Sequence, residues 1–493
     1  MERLIVIFLF ITLSVFSKEI TLNLDKAIEM ALDNNASNKI SKLNLQIAQA
    51  QHQQALSANY PSIDAILYAN RDRYDTVFQQ RGNFTLSSDI SKTFALANTI
   101  GMTDAQAQAY GFSNVTQYQT YLNSLDPSLF PEGAISADID ATAKGRDTVR
   151  GELQLNYPLY TGGKISSIIE QARLNKDIKN IAIKRAKSQV VFDVKKYFYG
   201  YILTNELHSL VNSIYENMKF SRDITKEFLE NGSDLKINKT DYLNIKLLTS
   251  IIQSTLSKIE LNRQMLKGAI ANSVGLKYDD VLKIQYNEQK ILKQNRSLQQ
   301  LVKKAATLNP DINTINLALK VKDAQIKESK SGMYPMVNLF GNVSHTYNSY
   351  EYGYLNEDTE DNWSIGLAIK MSIFDGFKTE SDILEKRLNK RVMDEQKILL
   401  EEGVALQLKN EFLRSSMGYK QIDILKEAVD TAIENSRMNF KGYQYEMVEA
   451  KDLVTSQMME VYVKTDYLRS IHDYLISLAT IDKLVGDKVN KEF

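Results

Sequence analysis

The 493-residue sequence contains no cysteine, only six prolines and a single tryptophan. Without cysteine the chain has no disulfide bond, no thiolate zinc site, no cysteine nucleophile and no cysteine to carry a lipid. The 60 basic and 60 acidic residues balance, so the sequence also lacks the basic excess that nucleic-acid binding usually needs. We therefore expect no nucleic-acid partner, and any membrane attachment has to come from the fold.

Catalytic and metal-binding motifs are missing as well. The sequence has no H-E-x-x-H motif, no G-x-S-x-G motif and no phosphate-binding loop, and its four histidines are far apart. The acidic run EDTED, Glu357 to Asp361, could bind calcium, but a solvated loop is the favoured interpretation. An enzyme, a cofactor and a metal site are therefore not predicted.

The N-terminus carries a short hydrophobic run, from Leu4 to Phe16, preceded by Arg3. This pattern predicts a secretory signal peptide over residues 1–17. The alternative is an N-terminal membrane anchor, for which the run is shorter than the about 20 residues that a spanning helix needs. We expect an exported chain.

The sequence is a tandem repeat. The motif NYPLYTGGK at Asn156–Lys164 returns as KMSIFDGFK at Lys370–Lys378, 214 residues later (370 − 156). Other pairs are Asn35 with Asn309 and Tyr60-Pro61 with Tyr334-Pro335, both at a shift of 274, and Asp241 with Asp452 and Gly275 with Gly486, both at a shift of 211. The predicted repeats span 18–285 and 286–493, and repeats of this kind imply duplication of one structural unit.

The first repeat carries an insertion. The shift falls from 274 to 214 between Tyr60-Pro61 and the glycine motif, so the first copy is longer there by 60 residues (274 − 214). The additional residues fall in a stretch rich in Gln, Asn, Ser, Asp and Tyr. This composition predicts a long polar loop over 71–148, whose external role the sequence leaves open.

Each repeat contains two stretches whose hydrophobicity alternates with a period of two. In NWSIGLAIKMSIF, residues Trp363, Ile365, Leu367 and Ile369 share one face, while the residues between them are small or polar. Strands of about 10 to 12 residues with one apolar face are typical of transmembrane β-strands, and a half-buried sheet in a soluble protein is the alternative. The predicted hairpins span 61–161 and 335–375.

Two further observations favour the membrane. Aromatic residues mark one end of the four predicted strands, as in an interfacial girdle; they are Tyr60, Tyr160, Tyr334 and Phe374. Four strands leave open edges, which lipid does not tolerate, and known barrels start at about eight strands. Two or more copies of the chain must therefore contribute to one barrel.

Long helices fill the rest of each repeat. No proline occurs between Gly163 and Glu230, and apolar residues recur there at steps of three and four. Such a helix is about 100 Å long at about 1.5 Å per residue. The strand–helix joints are Pro61 and Pro335, which end the preceding helices, and Gly162 and Gly376, which precede the long ones.

The motifs LDKAIEMALDNN, YPSID, NYPLYTGGK and SIFDGFK, with the Val-Gly pair that closes each half, resemble the TolC-like outer membrane efflux channel family over nearly all of the mature chain. The resemblance implies a mainly α fold with a transmembrane β-barrel: a homotrimer in which each subunit gives four strands to a twelve-stranded barrel in outer membrane lipid, and in which the helices form a periplasmic tunnel. It also implies a periplasmic membrane-fusion adaptor and an inner membrane transporter as partners.

The resemblance also implies an entrance closed by helix-tip residues. Asp452 matches the aspartate that forms a ring of carboxylates in the trimer, and Tyr443 and Asp241 match members of a latch. Three positions differ from the family: Thr455 replaces a second aspartate, Val448 replaces the latch arginine and Glu446 replaces a tip glycine. A weaker or different latch is therefore expected, and the sequence leaves the adaptor-docking surface open.

A helical stalk or surface protein without a channel is the alternative function. It shares long coiled coils but gives no reason for paired alternating strands at the same place in each repeat. The expected function is a passive exit channel of an efflux or type I secretion system, whose cargo and pump the sequence does not specify.

Overall fold

The computed structural model describes residues 20–232, 237–277, 282–287, 291–348 and 359–486. The predicted signal peptide at 1–17 and the first two residues of the acidic run lie outside this part of the chain. The strands are β1 (Ile20–Leu22), β2 (Ser62–Arg71), β3 (Thr76–Leu86), β4 (Gly133–Lys144), β5 (Asp147–Tyr160), β6 (Leu282–Ile284), β7 (Met336–Asn348) and β8 (Thr359–Lys370). The helices are α1 (Leu24–Asn34), α2 (Ala36–Ser57), α3 (Ser88–Ala97), α4 (Asp104–Ala109), α5 (Val115–Ser124), α6 (Lys164–Asn231), α7 (Lys239–Ser273), α8 (Leu298–Leu308), α9 (Pro310–Lys330), α10 (Lys378–Gln444) and α11 (Ala450–Val485).

The chain forms two compact units. The first contains residues 1–58, 162–334 and 372–493, and its described part is helical apart from the short parallel pair β1–β6. The second contains residues 59–161 and 335–371 and carries the other strands together with α3, α4 and α5. Each unit therefore draws on both halves of the sequence.

Helices of the first unit come in pairs of nearly equal length. Helices α1 and α8 each have 11 residues, α2 and α9 have 22 and 21, α6 and α10 have 68 and 67, and α7 and α11 have 35 and 36. Asparagine separates the two short helices of each half because its side chain caps the second one: Asn35 accepts from Ser37 N and Asn309 accepts from Asp311 N.

The same asparagines tie the two ends of each half together. Asn35 Nδ2 donates to the Ser273 carbonyl oxygen at 3.0 Å, and Asn309 Nδ2 donates to the Leu484 carbonyl oxygen at 2.7 Å. A glycine in the left-handed region follows each acceptor helix, Gly275 with φ +78° and Gly486 with φ +71°. Residues that pair in the sequence thus occupy matching places in the structure.

Hydrophobic clusters of the first unit match in the same way. One cluster joins α1, α6 and α7, and another joins α8, α10 and α11. The first contains Ala27, Ala31, Val190, Val194, Ile270 and Val274, and the second contains, in corresponding order, Leu301, Ala305, Val404, Leu408, Ile481 and Val485. Every one of these side chains is at most 7% exposed, so each half buries one core of the same design.

The second unit is built on a four-stranded antiparallel sheet of order β2-β5-β7-β8. Its two hairpins have the same register, because the pair Ser62 and Asn156 corresponds through the repeat to the pair Met336 and Lys370. Strand β8 ends at Lys370, before the predicted end of its alternation at Ile373, since the chain turns there toward α10.

The segment 71–148, predicted as a long polar loop, has regular structure of its own. Strands β3 and β4 form a separate antiparallel ribbon, and α3, α4 and α5 lie between them in sequence. Hydrogen bonds from Asp72 N to the Arg146 carbonyl and from Arg146 N to Asp75 Oδ1 connect the ribbon to the β2–β5 hairpin. Polar composition predicted a loop because α3, α4 and α5 together bury a single large apolar side chain, Leu122.

Candidate functional site

One face of the four-stranded sheet is apolar and exposed. Cross-strand register places Ile63, Leu155, Gly341 and Ile365 in one row across the sheet. Nine large apolar side chains of this face are between 43% and 80% exposed; they are Ile63, Leu67, Val149, Leu153, Val343, Trp363, Ile365, Leu367 and Ile369. Others on the same face, such as Leu155 and Leu339, are partly exposed. A contiguous apolar face of this kind marks a surface that lipid or another protein covers.

The opposite face of the sheet is mostly polar, with Ile66, Tyr68 and Phe340 among its apolar side chains. Its central row contains Asp64, Gln154, Asn342 and Ser364. Asn342 Nδ2 and Gln154 Nε2 both donate to Glu152 Oε1, at 3.1 and 2.9 Å, and Ser364 Oγ donates to Asn342 Oδ1. Side chains on this face therefore pair with one another across strands, as in a sheet with water on one side and hydrocarbon on the other.

Strands β2 and β8 are the edges of this sheet. Each is paired within the sheet along one side, and the β5–β7 pairing joins the hairpin of one repeat to that of the other. Backbone donors and acceptors along an open edge need another strand, above all in lipid.

The four predicted interfacial aromatics are all exposed. In the sheet unit, Tyr60 precedes β2 with 70% exposure and Tyr160 ends β5 with 46%. In the helical unit, Tyr334 is 53% exposed and Phe374 is 75% exposed. Their exposure is what contact with a membrane interface requires.

At the predicted joints the backbone is left-handed. Gly162 and Gly163 have φ of +62° and +86°, and Gly376 and Phe377 have +69° and +65°. A Cβ on Gly162 would lie 2.7 Å from Tyr334 Cβ, whereas one on Gly376 would meet nothing within 4 Å. Pro61 and Pro335 stand immediately before β2 and β7, where the missing N–H costs no ladder bond.

Phe377 occupies a conformation that glycine prefers, and the neighbouring Asp375 stabilises it. The Asp375 carboxylate accepts from Lys378 N and Thr379 N, both at 3.1 Å, and from Thr379 Oγ1 at 2.5 Å. These bonds cap α10 and hold the pKa of Asp375 below its usual value.

The ends of the two helix pairs α6–α7 and α10–α11 form the helix tips. Both pairs contribute to one hydrophobic cluster, which includes Met218, Ile245, Tyr443 and Leu453. Ile245 lies one turn after Asp241 and Leu453 directly follows Asp452. Tyr443 is thus a member of this cluster, and Asp241 and Asp452 are close in sequence to members of it.

Tyr443 is buried in the cluster at 1% exposure. Its hydroxyl lies 2.6 Å from Thr225 Oγ1, and because Thr225 donates its own hydrogen to the Ser221 carbonyl at 2.5 Å, Tyr443 is the donor of the pair. Burial raises the pKa of Tyr443; the hydrogen bond with Thr225 offsets part of the rise and the charge of Asp241 adds to it, so the hydroxyl keeps its proton. Thr225 gave no signal in the sequence, since it is 218 residues from its partner.

The Asp241 carboxylate caps the start of its own helix, α7. It is the third residue of α7, where its Oδ2 accepts from Asn238 N at 3.0 Å and Asn238 Oδ1 accepts from Asp241 N at 3.1 Å. This capping box satisfies backbone donors at the start of the helix. Thr225 is thus the hydrogen-bond partner of Tyr443 within this chain.

Asp452 is exposed in the first turn of α11. The helix dipole favours a carboxylate there. Thr455 is exposed one turn further on. The preceding turn is compact: Met447 N donates to the Gly442 carbonyl at 2.8 Å, and a Cβ on Gly442 would lie 2.5 Å from Val448 Cγ2.

Glu446 in that turn has φ +56°. Its left-handed backbone explains why a glycine is suited to this position and shows that the glutamate adopts the same turn at some cost in strain.

Among the described residues no group of His, Cys, Asp or Glu is arranged to hold a metal ion. The described part of EDTED contains Asp361, whose Oδ1 lies 2.7 Å from His345 Nδ1. No helix of the described chain combines the length and hydrophobicity needed to cross a bilayer.

Neither family models nor curated proteins match this sequence. Solved structures do match. A membrane protein from Pseudomonas aeruginosa has a TM-score of 0.69 and 15% identity, with 94% of this chain and 93% of that chain covered. The CmeC outer membrane channel of Campylobacter jejuni has a TM-score of 0.69 and 14% identity, with 94% of this chain and 85% of that chain covered. The outer membrane protein VceC of Vibrio cholerae has a TM-score of 0.66 and 14% identity, with 94% of this chain and 96% of that chain covered. The chain therefore has the fold of TolC-like outer membrane channels, as the sequence motifs predicted.

Proposed function

We propose that three copies of this chain form an outer membrane channel that passes substrates from a periplasmic adaptor and an inner membrane transporter to the exterior. The observation that carries the proposal is the two-faced sheet, with an exposed apolar face, a hydrogen-bonded polar face and two open edges. Its fold is shared with outer membrane channels. The protein is a passive conduit in this proposal and needs no catalytic group.

Closure of the barrel follows from the repeat. Within one chain, the second strand of one hairpin pairs with the first strand of the next through β5 and β7, where Leu155 lies opposite Gly341. Shifting this pair by the repeat distances puts Ile369 of β8 opposite Leu67 of β2. These two residues belong to opposite edges of one sheet, so in the proposed trimer they meet only between copies.

This register gives a direct test, because the chain has no cysteine of its own. Ile369→Cys with Leu67→Cys should form disulfide-linked trimers on mild oxidation, since opposed strand residues have the Cα separation that a disulfide needs. Ile369→Cys with Ile63→Cys is the matched control, offset by about 13 Å along the strand. Equal crosslinking of both pairs, or none in folded protein, would overturn the proposed closure.

The entrance is proposed at the helix tips. Three copies of Asp452 would form one carboxylate ring that attracts cations, while the Tyr443–Thr225 bond holds the tip of each subunit closed upon itself. Thr455 does not add a second ring, and Val448 leaves the latch without its arginine. The buried Tyr443 contact therefore takes the place of a latch to Asp241.

Conductance in planar bilayers tests the channel and its entrance. Wild-type protein should give small cation-selective steps, and Asp452→Asn should lower that selectivity, whereas Asp430→Asn, an exposed carboxylate elsewhere on α10, should not. Cation selectivity that is unchanged in Asp452→Asn would refute the carboxylate ring but not the channel function. Folded protein that never conducts would instead favour a helical stalk.

A further inference from the structure

The ribbon β3–β4 carries a small helical head, defined as residues 88–130 with α3, α4 and α5. The ribbon continues the β2–β5 hairpin beyond Arg71 and Asp147, at the end opposite to Tyr160 and the joint to α6. If the sheet spans the outer membrane with its helices in the periplasm, as proposed above, the head lies outside the cell. The inference below rests on that placement.

Aromatic rings form a continuous shelf on the head. Phe112 contacts both Tyr118 and Tyr121, with ring centroids 4.9 Å apart in each case, and Tyr110 stacks on Tyr118 at 5.3 Å and 5°. The rings at its two ends are open to solvent, since Tyr110 is 62% exposed and Tyr121 is 46% exposed. An aromatic cluster of this size would normally be covered by a core.

Uncharged polar groups surround one end of the shelf. An open depression beside Phe112 and Tyr121 is lined by hydroxyl and amide side chains, and no Asp, Glu, Lys, Arg or His is among its lining residues. The hydroxyl groups belong to Ser113, Thr116, Thr120 and Ser124, and the amides to Asn114 and Gln117.

The two amides are held in place by the backbone. Asn114 Oδ1 accepts from Gln117 N at 2.9 Å, and Gln117 Oε1 accepts from Ser113 N at 2.7 Å. Because both amide oxygens are engaged, the orientation of both NH₂ groups is set before any ligand arrives. Fixed donors beside a rigid aromatic face lower the ordering cost of binding.

We propose that this shelf binds a neutral carbohydrate. A sugar ring presents C–H groups on one face and hydroxyl groups around its edge, so the C–H face suits the exposed ring of Tyr121, against which Phe112 packs, and the hydroxyls suit the amides and side-chain hydroxyls. Absence of charge in the lining disfavours anionic and cationic ligands, which would lose hydration without gaining a partner. The ligand is therefore an uncharged glycan of an external surface.

The test uses full-length protein in a detergent without a sugar headgroup. Maltohexaose, cellohexaose and mannohexaose are the neutral probes, and an oligogalacturonate is the charged counterpart. Binding of each saccharide is measured by saturation-transfer NMR. At least one neutral probe should receive saturation and the charged one should not. Tyr121→Ala should weaken binding at least about fivefold, as expected for loss of one aromatic partner, while Tyr121→Phe, which keeps the ring, should retain most of it.

Phe94→Ala is the matched control, because Phe94 is an aromatic residue of the same head that is 55% exposed and does not line the depression. Binding of no neutral probe by folded protein, equal loss in Phe94→Ala and Tyr121→Ala, or preference for the charged probe would each overturn the inference. Conductance of the same preparations separates the two proposals: retained conductance without glycan binding refutes this inference alone.

Discussion

Replacing the joint glycines by alanine should separate backbone strain from steric clash, because the two repeats offer the same position in different surroundings. Gly162 has φ +62°, and an added Cβ would lie 2.7 Å from Tyr334 Cβ and 2.8 Å from the Ser331 carbonyl oxygen. Gly376 has φ +69° with nothing within 4 Å of its Cβ position. Both substitutions place an alanine in the left-handed region, and Gly162→Ala alone also produces a steric clash with Tyr334 and Ser331.

The left-handed backbone costs about 1 kcal/mol for a non-glycine residue, so Gly376→Ala should lower the free energy of unfolding by about that amount. Gly162→Ala should lose about 1–3 kcal/mol more, as for an overpacked site whose neighbour is backbone. Gly403→Ala, in the interior of α10 with open space around it, should gain about 1 kcal/mol from helix propensity.

Urea unfolding of the purified protein in detergent, followed by helical circular dichroism, measures all three variants in parallel. The expected order of stability is Gly403→Ala above wild type, then Gly376→Ala, then Gly162→Ala. Equal losses at Gly162 and Gly376 would show that the close approach to Ser331 and Tyr334 relaxes freely, and would refute the argument from packing.

Three further predictions concern buried polar side chains of the helical unit. Tyr443→Phe removes the buried bond to Thr225 and should cost about 1 kcal/mol in urea unfolding. Burial raises the pKa of Tyr199 to about 12 from 10.0, so the unfolded chain ionises first and stability should fall as pH rises from 10.0 toward 12, with a smaller fall in Tyr199→Phe. Asn309→Ala should cost about 2–3 kcal/mol, because it removes the cap of α9 and leaves the Leu484 carbonyl without its donor.

Each of these has its own contradicting outcome. A double-mutant cycle with Thr225→Val should give a coupling of about 1 kcal/mol with Tyr443→Phe, and additive losses would deny the bond. If the free energy of unfolding falls with alkaline pH as steeply in Tyr199→Phe as in wild type, other tyrosines cause the fall. Asn309→Ser keeps the cap and should recover part of the loss; a loss as large as in alanine would place the whole effect at Leu484.

Much of the fold could be predicted from the sequence because its signals are local and occur twice. Proline before a strand, glycine before a helix and the alternation around Leu367 each follow from backbone geometry within a few residues. Duplication strengthens weak signals: Gly275 and Gly486 are marked in the sequence only because they occupy the same position in the two repeats. The insertion had no second copy, and its strands and helices were missed.

The helix-tip contacts could be predicted only in part. The resemblance points to Asp241 and Tyr443, but the engagement of Asp241 in its own cap depends on Asn238, which no motif marks. Thr225 is remote in sequence and belongs to a residue type common on any helix. Partners brought together by packing of two helix pairs leave no periodic trace, so these contacts needed the structure.

The shared pattern of strand pairing also has a kinetic consequence. Strands β5 and β7 belong to one chain, so they meet at an effective concentration that the intervening chain sets, whatever the amount of protein present. In the proposed trimer β8 and β2 meet only when separate subunits collide, which dilution slows. A newly exported subunit should therefore complete its own sheet quickly and then wait with two unpaired edges, and during that interval it is most exposed to aggregation and most in need of a chaperone.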